Sequence, residues 1–130
     1  MDTRDSRKSD GQTERAGMSI KPREKDGVIV FDLTGEIRLS DTFTPAVHRH
    51  VAEQLAEGKP DFLLNFARVD FIDSYGIGDL VAAYLAVKEK KGRLKLTCLS
   101  PKIWLIFQYS GLTRILEIFD SEEKALKSFR

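Results

Sequence analysis

Apolar residues recur along the chain with two periods, and each period predicts one kind of secondary structure. Apolar stretches rich in β-branched and aromatic residues predict strands at 28–33, 61–66, 93–99 and 115–119, with a short additional strand at 18–20. Asp26 and Gly27 predict a tight turn between the first two strands. The run 61–66 is almost continuously apolar, which is typical of a strand covered on both faces.

Apolar residues at every third or fourth position predict four helices between these strands. The first begins at residue 40 or 41 and ends before 58, and the second follows residue 74. The third lies between 100 and 111, and the fourth runs from 121 to about 129. On the second helix the spacing places Leu80, Tyr84 and Leu85 on one side. Strands that alternate with helices predict an α/β domain with a largely covered sheet.

The composition is that of one ordinary globular domain. The chain has 130 residues, of which 42% are hydrophobic, and this length is enough for one hydrophobic core. Residues 1–17 mix charges of both signs with little to bury, so we predict a flexible N-terminal tail before a domain at 18–130. The formal net charge is only +1, and the Lys and Arg residues are spread along the chain rather than gathered in one patch. Both features argue against direct binding to nucleic acid.

The single cysteine and the N-terminal residues indicate the cellular compartment. Cys98 cannot form an internal disulfide, which fits a reducing compartment, and its place after Leu94 and Leu96 predicts a small core residue. The first residues lack the apolar segment of a signal peptide, and no apolar run approaches the roughly 20 residues that cross a bilayer. We therefore expect a cytoplasmic protein without direct membrane contact.

A short acidic turn leads into a helix that begins with two closely spaced glycines. Ser74 lies at the start of this helix, where unpaired backbone N–H groups favour side-chain oxygens and phosphate. Gly76 and Gly78 have no side chain, so a partner could approach the serine closely. Asp70 and Asp73 either accept backbone hydrogen bonds in the turn, or Asp73 presents Ser74 to a kinase or contributes to a metal site. The residues alone favour the turn interpretation for Asp70 and Asp73. For Ser74, the general expectation is a helix cap, because a serine before a helix most often has that role.

The chain offers little for catalysis. His48 and His50 are the only histidines and, two residues apart on a helix, they point in different directions and cannot readily share a metal ion. We expect both to face solvent. Neither the Gly-x-Ser-x-Gly elbow nor the phosphate-binding P-loop is present. We predict no enzymatic activity, no metal site and no cofactor.

Three motifs resemble those of a known family. Residues 73–78, Asp-Ser-Tyr-Gly-Ile-Gly, are similar to the Asp-Ser-Ser/Thr-Gly-Leu-Gly signature of bacterial anti-sigma-factor antagonists, whose fold is the STAS domain. Residues 33–37 resemble the family's Leu-x-Gly-Glu-Leu strand end. The stretch from Ser100-Pro101 through Phe107 to Ser110-Gly111-Leu112 resembles a motif near its C-terminal end. The resemblance covers residues 18–130 and implies a four- to five-stranded mixed sheet with about four helices.

The resemblance also implies a function and a set of site residues. The protein would bind an anti-sigma factor that is also a serine kinase, be released when Ser74 is phosphorylated, and be restored by a serine phosphatase. The implied partner-binding residues are Asp73, Tyr75, Gly76, Ile77 and Gly78. The alternative is a STAS scaffold subunit of a stress-signalling assembly or of a membrane transport system.

Two positions depart from the family pattern. Tyr75 stands where the family usually has a small hydroxyl residue, which enlarges the surface beside Ser74 and could narrow the choice of kinase. Trp104 and Leu105 stand where such antagonists often carry charged residues, and they leave the third helix with hardly any polar face. Either this helix packs into a tighter core with Trp104 under the tail, or it contacts another chain in a homo-oligomer.

Overall fold

The computed structural model describes residues 18–38 and 46–130. Within these residues, five strands and four helices follow one another along the chain. The first half comprises β1 (Met18–Lys25), β2 (Val28–Ile37), α1 (Ala46–Ala56), β3 (Asp61–Ile72) and α2 (Ser74–Glu89). The second half comprises β4 (Arg93–Thr97), α3 (Pro101–Tyr109), a 3-10 turn (Leu112–Arg114), β5 (Glu117–Phe119) and α4 (Glu122–Lys127). The predicted α/β class is confirmed.

The strands form one mixed sheet in the order β1-β2-β3-β4-β5. β1 is antiparallel to β2, and the other neighbours run parallel. The turn between β1 and β2 has positive φ at both Asp26 (55°) and Gly27 (81°), which matches the twist of a two-residue hairpin. The predicted mixed sheet and tight turn are therefore both correct.

β1 and β3 are both longer than the sequence predicts. β1 continues past the predicted 18–20 to Lys25 and includes Pro22, which is tolerated because β1 is an edge strand. β3 continues past 66 to Ile72, since its far half still pairs with β2 across two register shifts. The predicted start of the first helix at residue 40 or 41 lies outside the described residues, as does the predicted tail at 1–17.

The core lies mainly on one face of the sheet. Alternate side chains of β2 and β3 point to this face and meet α1, α2 and α3. The largest of its fully buried side chains are Phe31, Phe62, Phe66 and Phe107. On the opposite face, α4 covers only one end of the sheet, where Leu126 and Phe129 pack on Val28, Val30 and Leu63.

Polar contacts hold α4 on that second face. The Arg23 guanidinium donates to both carboxylate oxygens of Asp32 (2.6 and 3.0 Å) and to both of Glu122 (3.0 and 2.5 Å). These hydrogen bonds raise the pKa of Arg23 and lower the pKa of Glu122. At the other end of α4, the buried Lys95 ammonium donates to the Ser128 hydroxyl at 2.9 Å. The short last helix is thus fixed at both ends.

The prediction that Cys98 is a core residue of the fourth strand is wrong. β4 ends at Thr97, and the next residue turns toward α3 with a φ of 65°. The pairing of β4 with β5 ends at Thr97 and Phe119, and the Cys98 N–H donates to the Phe119 carbonyl oxygen at 3.1 Å. Cys98 is consequently only half-buried.

Candidate functional site

The predicted site lies at the edge of the sheet where the parallel strands β2 and β3 end and α2 begins. The Asp73 backbone N–H donates to the Ile37 carbonyl oxygen at 3.2 Å, which joins the ends of the two strands. The Asp73 carboxylate accepts from the Gly76 N–H at 2.9 Å and caps α2. The turn interpretation of Asp73, favoured from the residues alone, is confirmed. Ligands of open α/β sheets commonly bind outside the carboxyl ends of the strands.

Ser74 is the first residue of α2, and its side chain is exposed. The general expectation that a serine before a helix is its cap is wrong here, because Asp73 takes the cap position. The hydroxyl is therefore not required to close the helix end. It lies at the surface, at the positive end of the helix dipole.

The two glycines of the motif have different surroundings. Gly76 is buried, and a Cβ added there would lie 2.2 Å from the Ile37 carbonyl oxygen and 2.8 Å from a side-chain carbon of Ile72. Its predicted role in direct partner contact is corrected: it has almost no exposed surface, and close packing of α2 on β2 explains the glycine. Gly78 is exposed, and a Cβ there would meet nothing within 4 Å.

The remaining residues of the motif differ in exposure. Tyr75 is 63% exposed beside Ser74, whereas Ile77 is half-buried and packs against the core. Asp73 is half-buried, and Asp70 is exposed. Of the five predicted partner-binding residues, Tyr75 and Gly78 thus offer the most surface.

An exposed apolar stripe extends from Ser74 along α2. At about 100° per residue, Ser74, Gly78 and Leu85 project within about 40° of one another, with the half-buried Val81 and Ala82 beside them. Leu85 is 58% exposed whereas Leu80 is buried, so the prediction that the two lie on one side of the helix is wrong. The 11 helical rises between residues 74 and 85, at about 1.5 Å each, give the stripe a length of about 16 Å. We call Ser74, Gly78, Val81, Ala82 and Leu85 the α2 stripe.

Asp79 joins α2 to the start of α1 and was not predicted as a functional residue from the sequence. Its side chain is only 8% exposed, and its carboxylate accepts from the Val47 N–H at 2.9 Å and the His48 N–H at 2.7 Å. Burial raises the pKa of Asp79, while the two backbone hydrogen bonds oppose this effect. The available signal was an acidic residue at a core position of a helix, one residue before Leu80.

Two cationic side chains lie over one aromatic ring at the same edge of the sheet. The guanidinium carbon of Arg38 is 5.6 Å from the Phe71 ring centre, and the Lys102 ammonium nitrogen is 6.0 Å from it. Arg38 also forms an ion pair with Glu36. The edge near Ser74 therefore carries both signs of charge.

Neither histidine faces solvent freely, contrary to expectation. Both are half-buried, the His50 ring lies edge-on to Phe31 with 6.0 Å between ring centres, and His50 Nδ1 is 2.8 Å from the Ala46 carbonyl oxygen. The contact with Phe31 makes the His50 ring part of the packing of α1 on β2. Among residues 18–38 and 46–130, no group of three His, Cys, Asp or Glu side chains is arranged to hold a metal ion.

The third helix has both a buried and an exposed apolar side. Ile103 and Phe107 are buried, whereas Leu105 is 51% and Tyr109 is 89% exposed. Trp104 is partly exposed, and the predicted contact with the tail lies outside the described residues. In the part of the chain that the structure describes, no helix has the length and apolar character needed to span a membrane.

Comparison with known proteins identifies the family. The sequence profile of the STAS domain matches residues 19–125. The chain belongs to the STAS domain family. The anti-sigma-B factor antagonist of Bacillus subtilis (strain 168) is 32% identical over 106 residues, which cover 82% of this chain and 93% of that protein. The resemblance drawn from residues 73–78 and the other two motifs is confirmed.

Solved structures share the STAS fold. An anti-sigma factor antagonist from Mycobacterium paratuberculosis superposes with a TM-score of 0.73 at 22% identity, over 85% of this chain and 92% of that chain. The Bacillus cell fate determinant SpoIIAA in its phosphorylated form superposes with a TM-score of 0.65 at 24% identity, over 86% of this chain and 100% of that chain. The four- to five-stranded sheet with about four helices is the architecture expected of a STAS domain.

Proposed function

We propose that this STAS protein is an anti-sigma factor antagonist, a binding module without catalytic activity whose attachment is controlled by phosphate on Ser74. The observation that carries the proposal is the exposed Ser74 side chain at one end of the exposed α2 stripe. A kinase can reach this hydroxyl, and a docked partner would cover it. The name of the Bacillus subtilis relative supports the same class of partner.

In the unphosphorylated state the α2 stripe is the proposed docking surface. Gly78 allows close approach of a partner backbone, and Leu85 supplies apolar area that is lost from water on binding. Tyr75 lies beside the stripe and adds an aromatic side chain with a polar tip, a residue type enriched at interfaces.

Phosphate on Ser74 opposes docking through its charge. A neutral hydroxyl becomes a group of about −1.5 to −2 charge at neutral pH. In the interface this charge would be desolvated, and it would lie next to the Asp73 carboxylate. Within the free domain the N-terminus of α2 tolerates the same charge. Phosphorylation therefore removes partner affinity and leaves the fold intact.

The proposed partners are an anti-sigma factor that is also an ATP-dependent serine kinase, and a serine phosphatase that reverses the modification. ATP is then the cofactor of the kinase, and this chain supplies the phosphate acceptor. Binding would free a sigma factor for transcription. The proposed compartment is the cytoplasm, since a single cysteine suits a reducing environment.

The test uses the purified protein, ATP and candidate kinases from the source cell. We expect mass spectrometry to map one phosphate to Ser74, and Ser74→Asp to lose affinity for the kinase while its circular dichroism spectrum stays unchanged. Ser110 is a matched control, because it is also exposed but lies at the end of α3. Unchanged affinity of Ser74→Asp, or a phosphate that maps to Ser110 instead, would contradict the proposal.

The second candidate function is a scaffold subunit of a larger assembly. The exposed apolar side chains of α3, above all Leu105 and Tyr109, favour this alternative. It predicts a mass that decreases on dilution, and loss of this behaviour in Trp104→Glu. A large assembly without phosphate on Ser74 would support the scaffold, whereas a small complex disrupted by phosphate supports the antagonist.

A further inference from the structure

Among the described residues, Asp79 is the only carboxylate with a buried side chain, and it contacts a different helix from its own. We propose that Asp79 is a positioning residue for partner docking: it fixes the first turn of α1 against α2, so that both helices present one rigid surface to the anti-sigma factor. This inference rests on the proposed function and adds a second helix to the docking surface.

The α2 stripe is too small to bind a partner alone. A stripe about 16 Å long on a helix about 10 Å wide offers roughly 160 Å². A stable protein–protein interface buries about 800 Å² on each partner. The docking surface must therefore extend onto a neighbouring element, and α1 is the helix that packs against α2 most extensively.

The cap and the first two turns of α2 form hydrogen bonds with two segments of the chain, one before α1 and one at its start. At one end, the Asp73 N–H bonds to the Ile37 carbonyl oxygen at the end of β2. At the other, the Asp79 carboxylate accepts two N–H groups from the first turn of α1. That turn contains no acidic residue of its own, so Asp79 supplies the negative charge that the helix N-terminus favours. Ser74 lies between these two attachment points on the same helix.

Replacement of Asp79 by leucine separates positioning from stability. The variant removes the cost of burying a charge and adds apolar area to a site already beside the core residues Leu80 and Ala83. It also leaves two N–H groups of α1 without their acceptor, which opposes that gain. Because the two effects offset each other, we expect a melting temperature within about 5 °C of wild type. The first turn of α1 nevertheless loses both of its hydrogen bonds to the Asp79 side chain.

The experiment measures the affinity of the kinase that phosphorylates Ser74 for three variants. We expect Asp79→Leu to weaken binding at least tenfold, Asp79→Asn to weaken it less because one acceptor oxygen remains, and Leu80→Met to bind as wild type. Amide hydrogen exchange provides a reading that needs no partner. In Asp79→Leu, exchange should accelerate at Val47 and His48, the two donors, relative to Val51 deeper in α1.

The outcomes are distinguishable from failure of the proposed function. Equal binding of wild type and Ser74→Asp to the kinase would refute the phosphate switch and would be seen before Asp79 is tested. Wild-type affinity in Asp79→Leu, with the switch at Ser74 intact, would overturn only the positioning role. Should Asp79→Leu fail to fold, Asp79→Asn decides: severalfold weaker binding by a folded variant supports the proposal, and unchanged binding overturns it.

Discussion

The two glycines at the start of α2 should respond in opposite ways to the same substitution. Alanine is favoured over glycine inside a helix by up to about 1 kcal/mol. At Gly78 the new Cβ meets nothing within 4 Å, so Gly78→Ala should gain this amount. A gain of about 1 kcal/mol would raise the melting temperature of a domain of this size by about 4 °C.

At Gly76 the same propensity gain is outweighed by a clash. The new Cβ would lie 2.2 Å from the Ile37 carbonyl oxygen, which is backbone and accepts the Asp73 N–H. Overpacking of a close-packed site typically costs about 1–3 kcal/mol, and a backbone neighbour can relax less than a side chain. The 2.2 Å approach to a backbone atom places the clash at the upper end of this range, so after the propensity gain we expect Gly76→Ala to lose about 2 kcal/mol net.

Urea unfolding of the two variants beside wild type measures both effects. We expect a higher urea midpoint for Gly78→Ala and a lower one for Gly76→Ala. We also expect Gly78→Ala to bind the kinase less tightly although it is more stable. Two variants with equal midpoints would refute the packing argument. Undiminished affinity of Gly78→Ala would remove Gly78 from the docking surface.

Further predictions concern the cap and the contact of α4. Asp73→Ala removes the cap of α2 and should lower the free energy of unfolding by about 1 kcal/mol. Ser74→Ala should stay within about 0.5 kcal/mol of wild type in the same urea unfolding experiment. Equal losses in the two variants would contradict the assignment of Asp73 as the cap. The bond to Arg23 lowers the pKa of Glu122 in the folded state below its unfolded value near 4.5. The bond therefore stabilises the fold at any pH above about 4.5, and this stabilisation is lost as the pH falls through the lower pKa of the folded state. The difference in unfolding free energy between wild type and Glu122→Gln should thus be present at pH 7 and disappear as the pH falls below about 4.5. A difference that persists in acid would contradict this linkage.

The order and type of the elements could be predicted from the residue pattern because central strands and amphipathic helices must bury their apolar side chains. The extension of β1 across Pro22 could not, since an edge strand is held by backbone pairing on one side and needs little apolar character. The end of β4 at Thr97 could not be predicted either, since the apolar pattern continues through Leu99 while the backbone leaves the strand at Cys98 with a φ of 65°.

The site was predictable where it depends on local sequence and not where it depends on packing between elements. Asp73 was read correctly as a turn residue because capping involves neighbours three positions away. The buried position of Gly76 depends on the end of β2, which is nearly 40 residues earlier in the chain. Asp79 was missed for a similar reason: helix periodicity gives the side of α2 on which it lies but not that the start of α1 meets it there.

The most direct test of the central claim is the state of the complex before and after phosphate transfer. The protein is mixed with its kinase, the complex is followed by native mass spectrometry, and ATP is then added to wild type and to Ser74→Ala. We expect wild type to gain one phosphate on Ser74 and dissociate, while Ser74→Ala gains none and stays bound. Wild type that remains in the complex after phosphorylation, or Ser74→Ala that is released by ATP in the same way, would contradict it.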